Sequence, residues 1–273
     1  MSVIIPVFNE AEEIVTIVPA ARGVLEARRA DWEIIVVDNA STDGTVAALQ
    51  PLLEDPRVRL LRNEHNRGKG YSVRRGMLAA SGSLRLMCDA DCAPSLVSLP
   101  AMEALLSSCD VVAGARNAPE SQVARHQPVR RRAASLGFIF LCRRVMGEPL
   151  RDVFCGFKLF TAAAAEDVFS RSRIDGWAFD GEALALARAL RYRVRPCGIV
   201  WVNRPGSRLS IPRVVVPVLR ELVASRAHIR EQAAQAPRVA SLPAPEYRVP
   251  DVGAAAEPLA EAVAPASDGG LRS

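Results

Sequence analysis

Two carboxylates one residue apart, Asp89 and Asp91, follow directly on the apolar run Leu84-Arg85-Leu86-Met87-Cys88. Read as extended backbone, this i, i+2 spacing turns both side chains to one side, which suits a divalent cation and a neighbouring hydroxyl. Such a cation absorbs negative charge when a diphosphate leaves. Asp-x-Asp is also common in surface turns, so the pair does not establish metal binding by itself. A second candidate is Asn66-Arg67-Gly68-Lys69-Gly70. A glycine-rich turn ahead of a helix can offer amides and an ammonium to a phosphate. It lacks Walker A spacing and no Ser or Thr follows the lysine, so it is not a P-loop. A tight strand-to-helix connection explains it equally well.

The elements that must position these residues are legible in the first 115 positions. Val3–Val7, Glu33–Asp38, Val58–Leu61, Leu84–Cys88 and Asp110–Gly114 are short, continuous apolar runs, separated by amphipathic stretches. That pattern predicts a parallel sheet covered by helices on both faces. Asn9, with Glu12 three residues on, reads as a capping box opening the first helix. Ser41–Thr45 opens the second, and a third runs from Tyr71 to Ala80. Ligands of open α/β sheets gather at the carboxyl ends of the strands. Asn9, Glu10, Asp38, Asp89, Asp91 and Arg116 all fall there.

The chain has 273 residues, 49% of them hydrophobic, enough for one sizeable core. We expect a single domain over 1–232, with a nucleotide-binding half (1–116) and an acceptor half (117–232). Residues 233–273, rich in Ala and Pro, form an expected disordered tail. The tail from Gln235 holds three Arg against five acids, so the net charge of +5 leaves +7 on the remainder. That balance suits anionic partners such as diphosphates, lipid phosphates or nucleic acid. Six cysteines form no Cys-x-x-Cys pair, and the three histidines lie away from Cys88 and Cys92. Reduced, buried thiols are expected rather than disulfides or zinc. Ser2–Pro6 already reads as core, so no signal peptide is expected, and the longest apolar runs fall short of the ~20 residues of a membrane span. A cytoplasmic location is expected, with at most peripheral contact at the inner face of the cell membrane.

In order, Val3–Glu10, Ile34–Thr45, Asn66–Gly70 and Asp89–Asp91 resemble the family 2 inverting glycosyltransferases of GT-A (Rossmann-like) fold. The second half narrows the likeness to the dolichyl- or polyprenyl-phosphate sugar synthases. It does so through Arg151-Asp152, Cys155-Gly156-Phe157-Lys158, Gly176–Glu182 and Trp201–Ser207. The resemblance covers about residues 1–215. It implies a mostly parallel sheet with helices on both faces, a UDP- or GDP-sugar donor, Mg²⁺ or Mn²⁺ as cofactor, and a polyprenyl phosphate acceptor. It also implies that Pro6, Phe8, Asn9, Glu10 and Asp38 hold base and ribose. Lys69 and Ala90 then fall in the donor site, and Asp89 and Asp91 at the metal. Arg116 and Arg204 face the phosphates, where fixed guanidinium groups make paired hydrogen bonds. Asp180 stands where related transferases keep a catalytic carboxylate, although a helix N-terminal carboxylate also explains it.

Three departures stand out. Asn39 replaces an acid common in the family, Cys92 follows the aspartates, and Asp152-Val153-Phe154 replaces a more polar run. Arg130–Arg132 and Arg143-Arg144 flank about ten mostly apolar residues, the pattern of an interfacial helix over 128–146. Arg131 and Ser135 are its candidates for the acceptor phosphate, and a buried helix with solvated ends is the alternative. Transfer to a soluble hydroxyl acceptor or glycan remains the rival function. A nucleotide-sugar pyrophosphorylase would need a glycine-rich, arginine-bearing loop where Asn9-Glu10 stands. A nucleic-acid binder, suggested by a pI of about 9.1, would need aromatic stacking motifs that the chain lacks. No nucleic-acid partner is expected.

Overall fold

A computed structural model of the chain describes residues 1–28, 31–124, 129–147, 152–202 and 211–236, with the side chains of 123–136 and 211–214 outside that description. The first half runs β1 (Ser2–Val7), α1 (Ala11–Glu26), β2 (Glu33–Asp38), α2 (Thr45–Leu49), β3 (Val58–Arg62), α3 (Lys69–Ala79), β4 (Leu84–Cys88), α4 (Leu99–Leu105) and β5 (Val111–Ala115). The second half adds β6 (Gln122–Ala124), α5 (Val129–Met146), β7 (Phe157–Thr161), α6 (Ala162–Arg171), α7 (Phe179–Ala189), β8 (Val194–Gly198), β9 (Val200–Val202) and α8 (Ile211–Gln235).

The main sheet has the order β3-β2-β1-β4-β7-β5-β8, and β6 pairs with β9 beside it. All pairings are parallel except those of β7, which runs antiparallel between β4 and β5. The expected mostly parallel sheet is therefore present, with one reversed strand that periodicity did not show. Because β7 is reversed, its first residues lie at the edge where β1, β2, β4 and β5 end. The strands are apolar throughout because both faces are covered. Val3, Ile5 and Val36 join α1 and α4 on one face, while Ile4, Ile35 and Val37 join α3, α6 and α7 on the other.

The capping-box expectation is corrected. Asn9 has φ 56°, and α1 begins at Ala11 with no side-chain cap. The Asn9 carboxamide oxygen instead accepts from Thr42 N at 2.8 Å, while Ser41 Oγ accepts from Asn9 N at 2.9 Å. Two loops at the strand ends are thus tied together, and that outweighs a local cap. α8 reaches Gln235, past the 232 boundary, and 237–273 of the expected tail lie outside the described residues. All six cysteines are free and buried. Among the described residues no helix is long and apolar enough to cross a membrane.

Glu33 anchors the opposite edge of the sheet. Its carboxylate accepts from Ser81 N and Oγ, Ser2 Oγ and Arg59 Nη1. Burial works against the charge, but the bonds from Ser81, Ser2 and Arg59 win and bring its pKa down to about 2. A depressed carboxylate stabilises the fold above its unfolded pKa, and that stability is lost as pH falls toward the folded value. Glu33→Gln should therefore cost about 2–3 kcal/mol at neutral pH, with the deficit vanishing between pH 4.5 and 2. Urea denaturation across that range measures it.

Candidate active site

Six polar groups expected from the sequence meet at the carboxyl edge of the sheet. Asp38, fully buried, ends β2; its Oδ1 accepts from Ser41 N at 3.0 Å and Oδ2 faces Arg62 Nε at 3.1 Å. Pro6 is buried within β1 and Phe8 is 40% exposed just beyond it. Glu10 N donates to Thr45 Oγ1, which holds the β1–α1 loop in place. Burial first, then Asp89, pushes the Glu10 carboxyl up to about 8.

Asp89 and Asp91 sit in a turn rather than in extended backbone, closed by Cys92 N donating to Asp89 O at 2.9 Å. Ala90 between them is buried at 1%. One Asp89 oxygen accepts from Lys69 Nζ at 2.5 Å, and the other, Oδ1, is buried with no hydrogen-bond partner among the described residues. Among the described residues Asp91 Oδ1 receives only the Cys92 thiol, at 3.7 Å. Burial, followed by the charge of Asp89, raises the Asp91 pKa. Two adjacent carboxylates with unspent lone pairs fit a divalent cation. Among the described residues no group of three or more His, Cys, Asp or Glu could hold a metal. Two carboxylates completed by substrate phosphates and water is, however, the ordinary mode for Mg²⁺.

Gly156 explains why Asp89 can stand where it does. Asp89 N donates to Gly156 O at 2.8 Å, and a Cβ on Gly156 would overlap the Asp89 carboxylate. Gly156→Ala should displace that carboxylate and destabilise the protein by about 1–3 kcal/mol. Transfer activity should fall further than stability does, as parallel melting and rate measurements would show.

Lys69 opens α3, and its loop is fastened by Asn39. Asn39 Oδ1 accepts from Asn63 Nδ2 and Arg67 N, while Asn39 Nδ2 donates to Asn66 Oδ1 at 2.8 Å. An aspartate could not donate that last bond, which accounts for the amide at this position. Burial disfavours the Lys69 ammonium, but Asp89, Asp180 and Asp91 outweigh it and raise its pKa. Its Nζ also lies 5.1 Å from the Trp177 ring centroid. Trp177 stands on a short loop that the sequence did not mark as structural. Glu182 accepts from Arg173 N and Ile174 N, and Glu221 of α8 accepts from Ala178 N at 3.3 Å.

The second half delivers two ion pairs. Asp180, 3% exposed at the start of α7, pairs with Lys158 of β7, whose Nζ also donates to Cys155 O at 2.6 Å. Burial pushes the Asp180 carboxyl up, and Lys158 and then Lys69 pull against it. Arg116, one residue past β5, grips Asp152 through Nε and Nη2, each at 2.9 Å. Burial opposes the Asp152 charge, but Arg116 prevails and lowers its pKa. Arg116 also lies 5.2 Å from the Trp201 ring and close enough to Asp91 to favour its charge. Asp152 is a partner that the sequence motif contained without revealing its role. The unusual Val153 is core at 1% exposure, and Phe154 stacks on Phe138 of α5 at 5.4 Å. Arg204 and the side chains of Arg131 and Ser135 lie outside the described residues, although 131 and 135 belong to α5.

Comparison with known proteins bears on this arrangement. The model of the family described as Glycosyl transferase family 2 matches residues 2–169. The dolichyl-phosphate beta-glucosyltransferase of Drosophila melanogaster is 32% identical over 225 residues, covering 77% of this chain and 69% of that protein. The protein of the same name from Dictyostelium discoideum is 29% identical, covering 83% and 73%. Among solved structures, glucosyl-3-phosphoglycerate synthase from Mycobacterium tuberculosis, with phosphoglyceric acid, superposes with a TM-score of 0.59 at 18% identity, covering 82% and 79%. The same enzyme with Mn²⁺, UDP and glucosyl-3-phosphoglycerate gives 0.58. These structures share the fold.

Proposed function

The chain belongs to glycosyl transferase family 2, and on that premise we propose that it moves a hexose, with inversion, from a nucleoside diphosphate sugar to a polyprenyl phosphate of the dolichyl type. The observation that carries the reading is the Asp89–Asp91 turn, with Asp89 Oδ1 buried and unpartnered among the described residues, in a chain related over most of its length to dolichyl-phosphate beta-glucosyltransferases.

In this reading Asp89 and Asp91 hold Mg²⁺ or Mn²⁺, which supplies charge neutralisation to the departing diphosphate. Pro6, Phe8, Asn9, Glu10 and Asp38 seat the nucleoside, with Ala90 packed beneath it. Lys69 fixes the Asp89 carboxylate by its ion pair and faces the donor phosphates. Arg116, oriented by Asp152, and Arg204 meet the phosphates, and Arg131 and Ser135 receive the acceptor phosphate. The acceptor is already an anion at neutral pH, so its oxygen attacks the anomeric carbon without a strong general base. Asp180 then acts by orienting Lys158 and the Lys69 loop, in keeping with its burial. Stabilisation of the leaving diphosphate is the largest catalytic contribution. The protein works from the membrane periphery, on the face that carries the nucleotide.

The test is release of nucleoside diphosphate by purified protein, across UDP- and GDP-sugars with Mn²⁺. It is run with a short polyprenyl phosphate, with a soluble phosphorylated acceptor, and with neither. Release that requires the polyprenyl phosphate is expected. Release only with the soluble acceptor would replace the lipid, and no release with any donor would overturn the reading.

A further inference from the structure

α5 and α8 pack together, and a cavity of about 270 Å³ opens between them. Its polar lining is three arginines, Arg144, Arg226 and Arg230, over a floor that includes Val145, Met146 and Ile229. Among the described residues no carboxylate lines it. Among the described residues these three guanidinium groups have no ion-pair partner, whereas Arg57, Arg74, Arg116 and Arg193 each face an aspartate. Three uncompensated positive charges around one concavity repel one another, and an anion there relieves the repulsion.

The surroundings indicate which anion. Of the eight exposed large apolar side chains among the described residues, four lie on these two helices: Phe140, Leu141, Val216 and Val223. Phe140 and Leu141 precede Arg144 by four and three residues, so all three share a helix face. Val223 precedes Arg226 by three, and Arg226 precedes Arg230 by four, giving α8 the same mixed stripe. A site for a soluble phosphate has no use for flanking exposed apolar side chains. A bilayer surface meets both features, with phosphates at the arginines and acyl chains at the Phe and Val positions.

We propose that the Arg144–Arg226–Arg230 pocket is a binding site for the phosphate of an anionic phospholipid headgroup, and that the α5–α8 face docks on the bilayer through it. α8 lies wholly beyond the segment matched by the family model, whereas Arg144 on α5 lies within it. The same helix holds the Trp177 loop through Glu221. The docked face and the rim of the active site are thereby joined by one helix. The proposal deepens the lipid-acceptor reading but is tested without turnover.

The experiment is co-sedimentation of the full chain with phosphatidylcholine vesicles containing about one-fifth phosphatidylglycerol, against pure phosphatidylcholine. Binding to the anionic vesicles alone is expected. The triple variant Arg144→Gln, Arg226→Gln, Arg230→Gln should lower it by about a hundred-fold, and Val223→Asp should lower it with the arginines intact. All of these side chains are exposed, so both variants should fold as the parent does, checked by circular dichroism. Equal binding by the triple variant, or equal binding to neutral vesicles, would overturn the proposal. Displacement by millimolar inorganic phosphate, beyond that by chloride at equal ionic strength, would also overturn it by reassigning the pocket to a soluble phosphate. Vesicle binding that is intact in a protein unable to transfer sugar would refute the transferase reading alone.

Discussion

Asp91→Asn is expected to lower the transfer rate by on the order of a thousand-fold, with no loss of thermal stability. Among the described residues the Asp91 carboxylate has only the Cys92 thiol as a hydrogen-bond partner, and burial together with the charge of Asp89 outweighs the help of Lys69 and Arg116. It is crowded by the negative charge of Asp89, so a neutral isostere relieves repulsion in the ligand-free fold. Its use must lie in what it binds. Asp89→Asn should behave differently, because Lys69 would lose the carboxylate that holds its ammonium. That variant should lose activity and stability together. The two outcomes are separated by measuring diphosphate release at saturating Mn²⁺ beside a melting curve for each protein. An Asp91→Asn protein within ten-fold of the parent would remove Asp91 from the metal site.

The second large effect is on stability. Lys158→Met should destabilise the protein by about 3–5 kcal/mol at neutral pH, because it leaves a buried carboxylate without its partner. Lys158 is 1% exposed and Asp180 3%, so water cannot replace the missing ammonium. The loss should depend on pH in a defined direction. The Asp180 pKa is already raised by burial, and without Lys158 the main opposing charge is gone. An acid whose folded pKa lies above its unfolded value takes up a proton on folding, so stability falls as pH rises past about 4. Adding Asp180→Asn to Lys158→Met should recover much of the loss, since an unmet amide costs less than an unpaired charge. Urea denaturation of the three variants between pH 4 and 8 closes the cycle. Additive losses would mean that the pair is not coupled.

Much of this protein was legible in its sequence because the relevant physics is local. Five apolar runs bounded by turns had to be strands, and their continuous apolarity required cover on both faces. Carboxylates and amides directly after those runs had to fall at one edge, because the strands are parallel. The ordered blocks from Val3 to Asp91 were enough to indicate the family. What the sequence misjudged was decided over long distances. Asn9 looks like a helix cap, yet Ser41 and Thr42, more than thirty residues away, hold it in a left-handed turn. Asp89 and Asp91 looked extended, but the turn closed by Cys92 and the approach of Gly156 set their placement.

The second half was harder for a single reason. β7 is buried on both faces and short, so nothing in its residues states whether it runs with or against its neighbours. Only the tertiary arrangement reverses it, and that reversal carries Asp152, Cys155 and Lys158 to the active edge. Lys158 reads as an ordinary strand lysine until Asp180 is brought against it from α7. Arg144, Arg226 and Arg230 read as scattered surface charge until α5 and α8 meet. The sequence alone determined the first five strands, the edge at which chemistry occurs and the family, because these depend on neighbouring residues. Which charges neutralise one another and which stay uncompensated was left to the tertiary structure, because partners far apart in the chain are chosen only by packing.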